Sequence, residues 1–143
     1  MDILAEPRLL PTRLIDAAME AQRTQRQGGA ALRRCFHETA RIESVAAGGV
    51  FDLDESLARI AAAVKGGLYS PGTWEFEEVA PDVVLSWTNV RHAPPGGRVG
   101  HTVDTPLIWL MTGREGLIWR VRVFRERGEA LETLAEYGLA LGI

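Results

Sequence analysis

The stretch Gly116-Leu-Ile-Trp-Arg-Val-Arg-Val-Phe-Arg-Glu-Arg-Gly-Glu-Ala-Leu131 decides how the rest of the chain is read. A turn glycine opens a strand of alternating side chains, and the strand passes into a short apolar helix. Upstream, the period-two pattern reaches back to about Thr73. Before that point the pattern is mainly helical, so the chain is helix-rich first and stranded second.

The helical half begins after a tail, residues 1–12, in which Pro7 and Pro11 oppose early helix. Thr12 is placed to cap a helix from near Arg13, with Leu14, Ile15, Ala18, Met19 and Gln22 on its buried face. Gly28-Gly29 ends it. A second helix is expected over 30–37, carrying Leu32, Cys35 and Phe36, followed by a short strand over 39–45. After the break at Gly48-Gly49, Asp52 and Glu55 have capping-box spacing. The helix they open runs to about Lys65, burying Leu57, Ile60, Ala61 and Val64, and stops at Gly66-Gly67.

Strands are expected over 73–79, 83–91, 102–111 and 117–124. Pro81-Asp82, the hairpin loop Ala93-Pro-Pro-Gly-Gly97 and Gly113-Arg-Glu-Gly116 are the turn signals between them. A last helix covers 128–137, before a tail with Leu139 and Leu141. Three helices followed by antiparallel strands predict an α+β domain over 13–143, its bent sheet folded over the helices.

The chain has 143 residues, enough for one core without staples. A net charge of −3, with arginines scattered from Arg23 to Arg127, argues against a general nucleic-acid binder. One cysteine, Cys35, forms no internal disulfide, and the three histidines lack metal spacing. No metal or cofactor is expected. No apolar run approaches the roughly 20 residues of a membrane helix. With no signal-peptide pattern at the N-terminus, no membrane partner and a cytoplasmic location are the expectations.

The Gly-ended first helix, the Phe36-His-Glu-Thr-Ala-Arg-Ile-Glu43 junction, the Asp52–Val64 helix and the Gly116–Leu131 ending together resemble the SnoaL-like branch of the NTF2-like superfamily. The resemblance spans nearly the whole chain from Arg13. It implies a cone fold: three N-terminal helices on a strongly bent antiparallel sheet, a short C-terminal helix, a conical pocket and frequent homodimers. Relatives include ketosteroid isomerases, polyketide cyclases, epoxide hydrolases and dehydratases, so the fold alone names no chemistry. The isomerase base position falls at Ser44, its tyrosine near Ala21 or Gln22 and its second acid near Ile108. One acid of the epoxide hydrolase set falls near Val123. None of these positions holds the required side chain, which argues against both activities.

Alternation on the 83–91 strand puts Leu85, Trp87 and Asn89 on the face with more apolar bulk, expected to be concave. The same register turns Thr102, Asp104, Pro106, Ile108 and Leu110 inward. The resemblance puts Trp119, Val121, Val123 and Arg125 on the concave side, with Ile118, Arg120, Arg122 and Phe124 facing out. The expected ligand-binding set is therefore Leu85, Trp87, Asn89, Ile108, Leu110, Val121, Val123 and Arg125, suited to a small, largely apolar molecule. Asp104 is the candidate acid/base, because an apolar cavity would raise its pKa toward neutrality. His101 lies on the opposite face by alternation, and His37 and His92 read as surface or capping residues.

Three functions fit these residues. One is a cofactor-independent cyclase, isomerase or dehydratase using Asp104. Another is a non-catalytic carrier or sensor for an apolar molecule. The third is an NTF2-like dimerisation or interaction module whose cone is filled by its own side chains, the four tryptophans included.

Overall fold

In the computed structural model, residues 13–25, 27–45, 48–65, 74–92, 103–136 and 138 are described, with side chains for all but 90–92 and 103–105. The N-terminal tail with its Thr12 cap, the Gly66-Gly67 stop, Thr73, the 93–97 loop, His101, Thr102, Tyr137 and the Leu139/Leu141 tail lie outside the described residues. The elements run α1 (Leu14–Thr24), α2 (Gly29–Arg33), β1 (Phe36–Ser44), β2 (Gly49–Asp52), α3 (Leu53–Lys65), β3 (Glu75–Ala80), β4 (Val83–His92), β5 (Val103–Arg114), β6 (Leu117–Phe124) and α4 (Arg127–Glu136).

The six strands form one curved, unclosed sheet in the order β2-β1-β6-β5-β4-β3. β3 to β6 make an antiparallel meander, as the alternation and turn residues required. The β5–β6 turn is a two-residue loop with Glu115 at φ 57° and Gly116 at φ 77°, the left-handed pair that matches hairpin twist. Two features depart from the expected all-antiparallel sheet. β1 pairs in parallel with β6, and Gly49–Asp52, read only as a break and a cap, is an edge strand on β1. A parallel partner some 80 residues away leaves no local trace in the chain.

The capping box forms as its spacing predicts. The Glu55 backbone N–H donates to Asp52 Oδ1 at 2.8 Å, and the Asp52 N–H donates to Glu55 Oε1 at 3.1 Å. This reciprocal pair sets where α3 starts, and therefore which of its residues face the sheet. α1 begins at Leu14 without a side-chain cap, and buries Leu14, Ala17, Ala18, Ala21 and Thr24. Met19, expected on the buried face, is exposed. α2 is five residues long, because the chain is already strand by Phe36.

Both faces of the sheet are covered. On one face, α1 and α3 enclose a core of Leu14, Ala17, Ala40, Ile42, Ile60, Val84, Leu107, Trp109, Met111, Ile118 and Val121. On the other, α4 lays Ala130 and Leu134 over Leu85, Ile108, Leu110 and Phe124. This second core corrects the expected register. Trp109 pairs with Val123, and Met111 with Val121, so Leu107, Trp109 and Met111 share the face that α1 and α3 cover. Leu85, Ile108 and Leu110 lie on the opposite face. Choosing the concave face by apolar bulk fails here because α4 gives the outer face a core of its own. All five residues of Leu107–Met111 are buried, so the run has no polar side to read.

Three further side chains differ from expectation. Phe124 and Ile118, expected to face out, are buried under α4 and against α1's core respectively. Trp119 is half-buried outside both cores. It donates from Nε1 to Thr39 Oγ1 at 3.1 Å, with the Arg114 and Arg120 guanidiniums over its ring. Pairing shifts at Thr112/Gly113 and Phe36/Arg41 break the alternation around Ile118 and Trp119, whereas Phe124 keeps its outer row and is covered by α4.

Candidate functional site

A cavity of about 340 Å³ lies between α3 and the face of the sheet that α1 and α3 cover. Its floor is built from neighbouring strand rows. Ser44 of β1 pairs with Val123 of β6, and Val123 pairs with Trp109 of β5; Ile42 and Leu107 flank them. Phe51 closes one side from β2, and α3 supplies Ser56, Arg59, Ile60, Ala62 and Ala63 as the roof. Ser56, Arg59, Ile60 and Ala63 follow the i, i+3, i+4, i+7 spacing of one helix face. Once the capping box fixes the helix start, that spacing is a signal by which they were findable. Phe51 and Trp109 carried no such signal.

The polar groups at this cavity have definite states. The Arg59 guanidinium carbon sits 4.1 Å from the Phe51 ring centroid, a cation–π contact. Ser56 Oγ donates to the Asp52 carbonyl at 2.6 Å. Trp109 is buried, packs edge-on against Trp74 with centroids 6.0 Å apart, and its Nε1 has no hydrogen-bond partner among the described residues. Arg125 lines the cavity at the end of β6. No Asp, Glu or His lines it among the described residues.

A second cavity, of about 260 Å³, lies on the opposite face beside α4, lined by Leu85, Trp87, Asn89, Pro106, Ile108 and Arg127 among others. The expected ligand-binding set therefore divides. Val123 and Arg125 line the first cavity, with Val121 buried in the adjoining core. Leu85, Trp87, Asn89 and Ile108 line the second, with Leu110 buried beside it. The two halves never meet, because the sheet separates them. Asp104 pairs with Arg91 in the β4–β5 ladder, and its side chain lies outside the described residues.

The remaining reactive groups serve structure. His37 Nδ1 accepts from the Thr39 backbone N–H at 3.1 Å, which ties down its own turn. Glu43 pairs with Arg122 at 3.0 Å across β1 and β6. Among the described residues, no group of three or more His, Cys, Asp and Glu is placed to hold a metal, and no helix is long and apolar enough to cross a membrane. Burial, with the nearby Glu20 carboxylate adding to it, pushes the Cys35 thiol up from about 9 to about 11. The folded state therefore favours the neutral thiol. Its contribution to stability is present below the unfolded value near 9 and is lost as pH rises toward 11. At pH near 8, iodoacetamide should label the native thiol at least about 100-fold more slowly than the denatured chain. Equal rates in the two states would show that Cys35 is accessible and ordinarily acidic.

No protein-family model matches the chain, and no curated protein matches it in sequence. Solved structures do. An NTF2-like protein from Burkholderia xenovorans superposes with a TM-score of 0.62 at 12% identity, over 83% of this chain and 93% of that one. A candidate SnoaL-like polyketide cyclase from a Jannaschia species gives 0.58 at 17% identity, over 87% and 92%. A protein of ketosteroid isomerase-like fold from Catenulispora acidiphila, crystallised with trimethylamine, gives 0.56 at 15% identity, over 87% and 94%. Identities this low speak for the fold alone, and the layers and sheet described above agree with it: this chain has the NTF2-like cone fold of the SnoaL-like and ketosteroid isomerase-like proteins.

Proposed function

We propose that this protein binds a small, largely apolar molecule in the cavity beneath α3. The observation that carries the reading is the wall itself: Ile42, Phe51, Ile60, Leu107, Trp109 and Val123 around about 340 Å³, with a few polar groups at fixed places. That volume and composition suit a small-molecule site. The solved neighbours lend support, since one was co-crystallised with polyporic acid. The described lining holds no acid or base, which favours binding over proton transfer in this cavity.

A catalytic form of the reading keeps Asp104 as acid/base in a cyclase-, isomerase- or dehydratase-like reaction. Asp104→Asn would then abolish turnover without unfolding the chain. A homodimer in the cytoplasm completes the proposal, with sedimentation as its test.

The binding reading is tested by filling the cavity. Planar aromatic and alkyl compounds should raise the melting temperature of the wild-type chain by mass action. Ala63→Phe, which adds a ring from α3, should weaken that binding at least about tenfold, or 1.4 kcal/mol. Binding unaffected by Ala63→Phe would place the ligand elsewhere, the second cavity being next in line.

A further inference from the structure

We propose that the cavity beneath α3 selects ligands with an anionic, acceptor-rich group, a carboxylate above all, on a flat apolar body. The inference rests on reading that cavity as a ligand site and names the chemistry it prefers.

The charged groups at the cavity are one-sided, while the hydroxyl oxygens of Ser44 and Ser56 can also accept. Arg59 and Arg125 bring two guanidiniums, which only donate and stay charged at any physiological pH. Trp109 adds a buried indole N–H with no partner among the described residues, again a donor only. Ser56 has its hydroxyl hydrogen committed to the Asp52 carbonyl. Among the described lining residues no carboxylate balances the two positive charges.

Elsewhere in the chain some guanidiniums are paired, while others, such as Arg34, Arg114 and Arg120, likewise have no ion pair with a described residue. Arg13 is paired with Glu78, Arg23 with Glu20, Arg33 with Asp54 and Arg122 with Glu43. Arg59 and Arg125 have no such ion pair with a described residue. Arg59 instead lies over the Phe51 ring, with 4.1 Å between guanidinium carbon and ring centroid. A cation–π contact on Phe51 uses no carboxylate, so the Arg59 N–H groups keep capacity for an anionic partner. Those N–H groups are what a carboxylate engages, through two parallel hydrogen bonds. Phe51 thus acts as a positioning residue for the Arg59 fork, and the apolar walls take the body of the ligand. A cation of the same shape would meet two like charges, and a neutral acceptor would gain hydrogen bonds without the charge pairing.

The test compares three probes of one shape: a naphthalene carboxylate, its carboxamide and its aminomethyl analogue, titrated calorimetrically into the full chain. The carboxylate is expected to bind about tenfold more tightly than the amide, with the cation weakest. Its advantage should shrink at high salt, because Arg59 is exposed and screened. Arg59→Gln and Arg125→Gln should each bring the carboxylate down toward the amide, narrowing the gap between the two probes, with an unchanged melting temperature reporting an undamaged fold. Arg13→Gln, which removes an equal charge paired with Glu78, should change none of the three. Equal affinity for carboxylate and amide, or a preference untouched by both arginine variants, would overturn anion selection and leave the binding reading standing. Failure of all three probes to bind would overturn both.

Discussion

Phe124→Ala is expected to destabilise the protein by about 3–5 kcal/mol, the range for emptying a buried aromatic site. Phe124 is 1% exposed and forms, with Leu85, Ile108, Leu110, Ala130 and Leu134, the core between the sheet and α4. α4 is short, and its ten residues include Gly128 in the first turn, so little intrinsic propensity supports it. Its stability comes from this packing. Truncating Phe124 removes the ring contacts and leaves a void that the pleated sheet cannot close. Urea unfolding should show the loss, and thermal melting should show a fall of roughly 10 °C or more. A cost under about 1 kcal/mol would mean that Phe124 lies at a solvated or dimer-facing surface, as its alternation first suggested, and that α4 does not seal the outer face.

The second large effect is at the contact between α1 and β5. Leu14 is fully buried, and a Cβ built on Gly113 would lie 3.2 Å from both its Cβ and its Cδ1. The absence of a side chain at 113 lets the start of α1 rest on the sheet beside a pairing shift. Leu14→Ala alone should cost about 2–5 kcal/mol. Gly113→Val alone should cost about 1–3 kcal/mol through overpacking. The two faults are complementary, since the valine would occupy space that the leucine vacated. The double variant should therefore cost less than the sum, with a coupling of about 0.5–3 kcal/mol in denaturant unfolding. Strict additivity would show that the two positions do not share one contact.

Much of this architecture was legible residue by residue. The Asp52/Glu55 spacing announced the start of α3, and the reciprocal hydrogen bonds are present. The strand Leu117–Phe124 was read at its observed place, and the turn expected over Gly113–Gly116 tightens to Glu115-Gly116 because β5 runs on to Arg114. The candidate site was legible only in fragments. Of the residues expected around one pocket, Val123 and Arg125 line the cavity beneath α3, and Leu85, Trp87, Asn89 and Ile108 line the one beside α4. Arg59, Phe51 and Trp109 were missed, because an arginine on an amphipathic helix and aromatics on strands look alike whether they face a cavity or a neighbour.

By itself the amino-acid order determined the kind and sequence of elements: helices first, a meander after, the cap that starts α3 and the hairpin that joins β5 to β6. Those features depend on interactions within a few residues, namely dihedral preferences, capping bonds and periodicity. Tertiary structure alone decided the parallel pairing of β1 with β6, the side on which α4 docks, and hence which row of β4 and β5 faces α3. A strand carries two faces, and when both are covered its pattern gives no vote between them. The choice falls to whichever helix packs on each side, and that is settled by contacts between segments far apart in the chain.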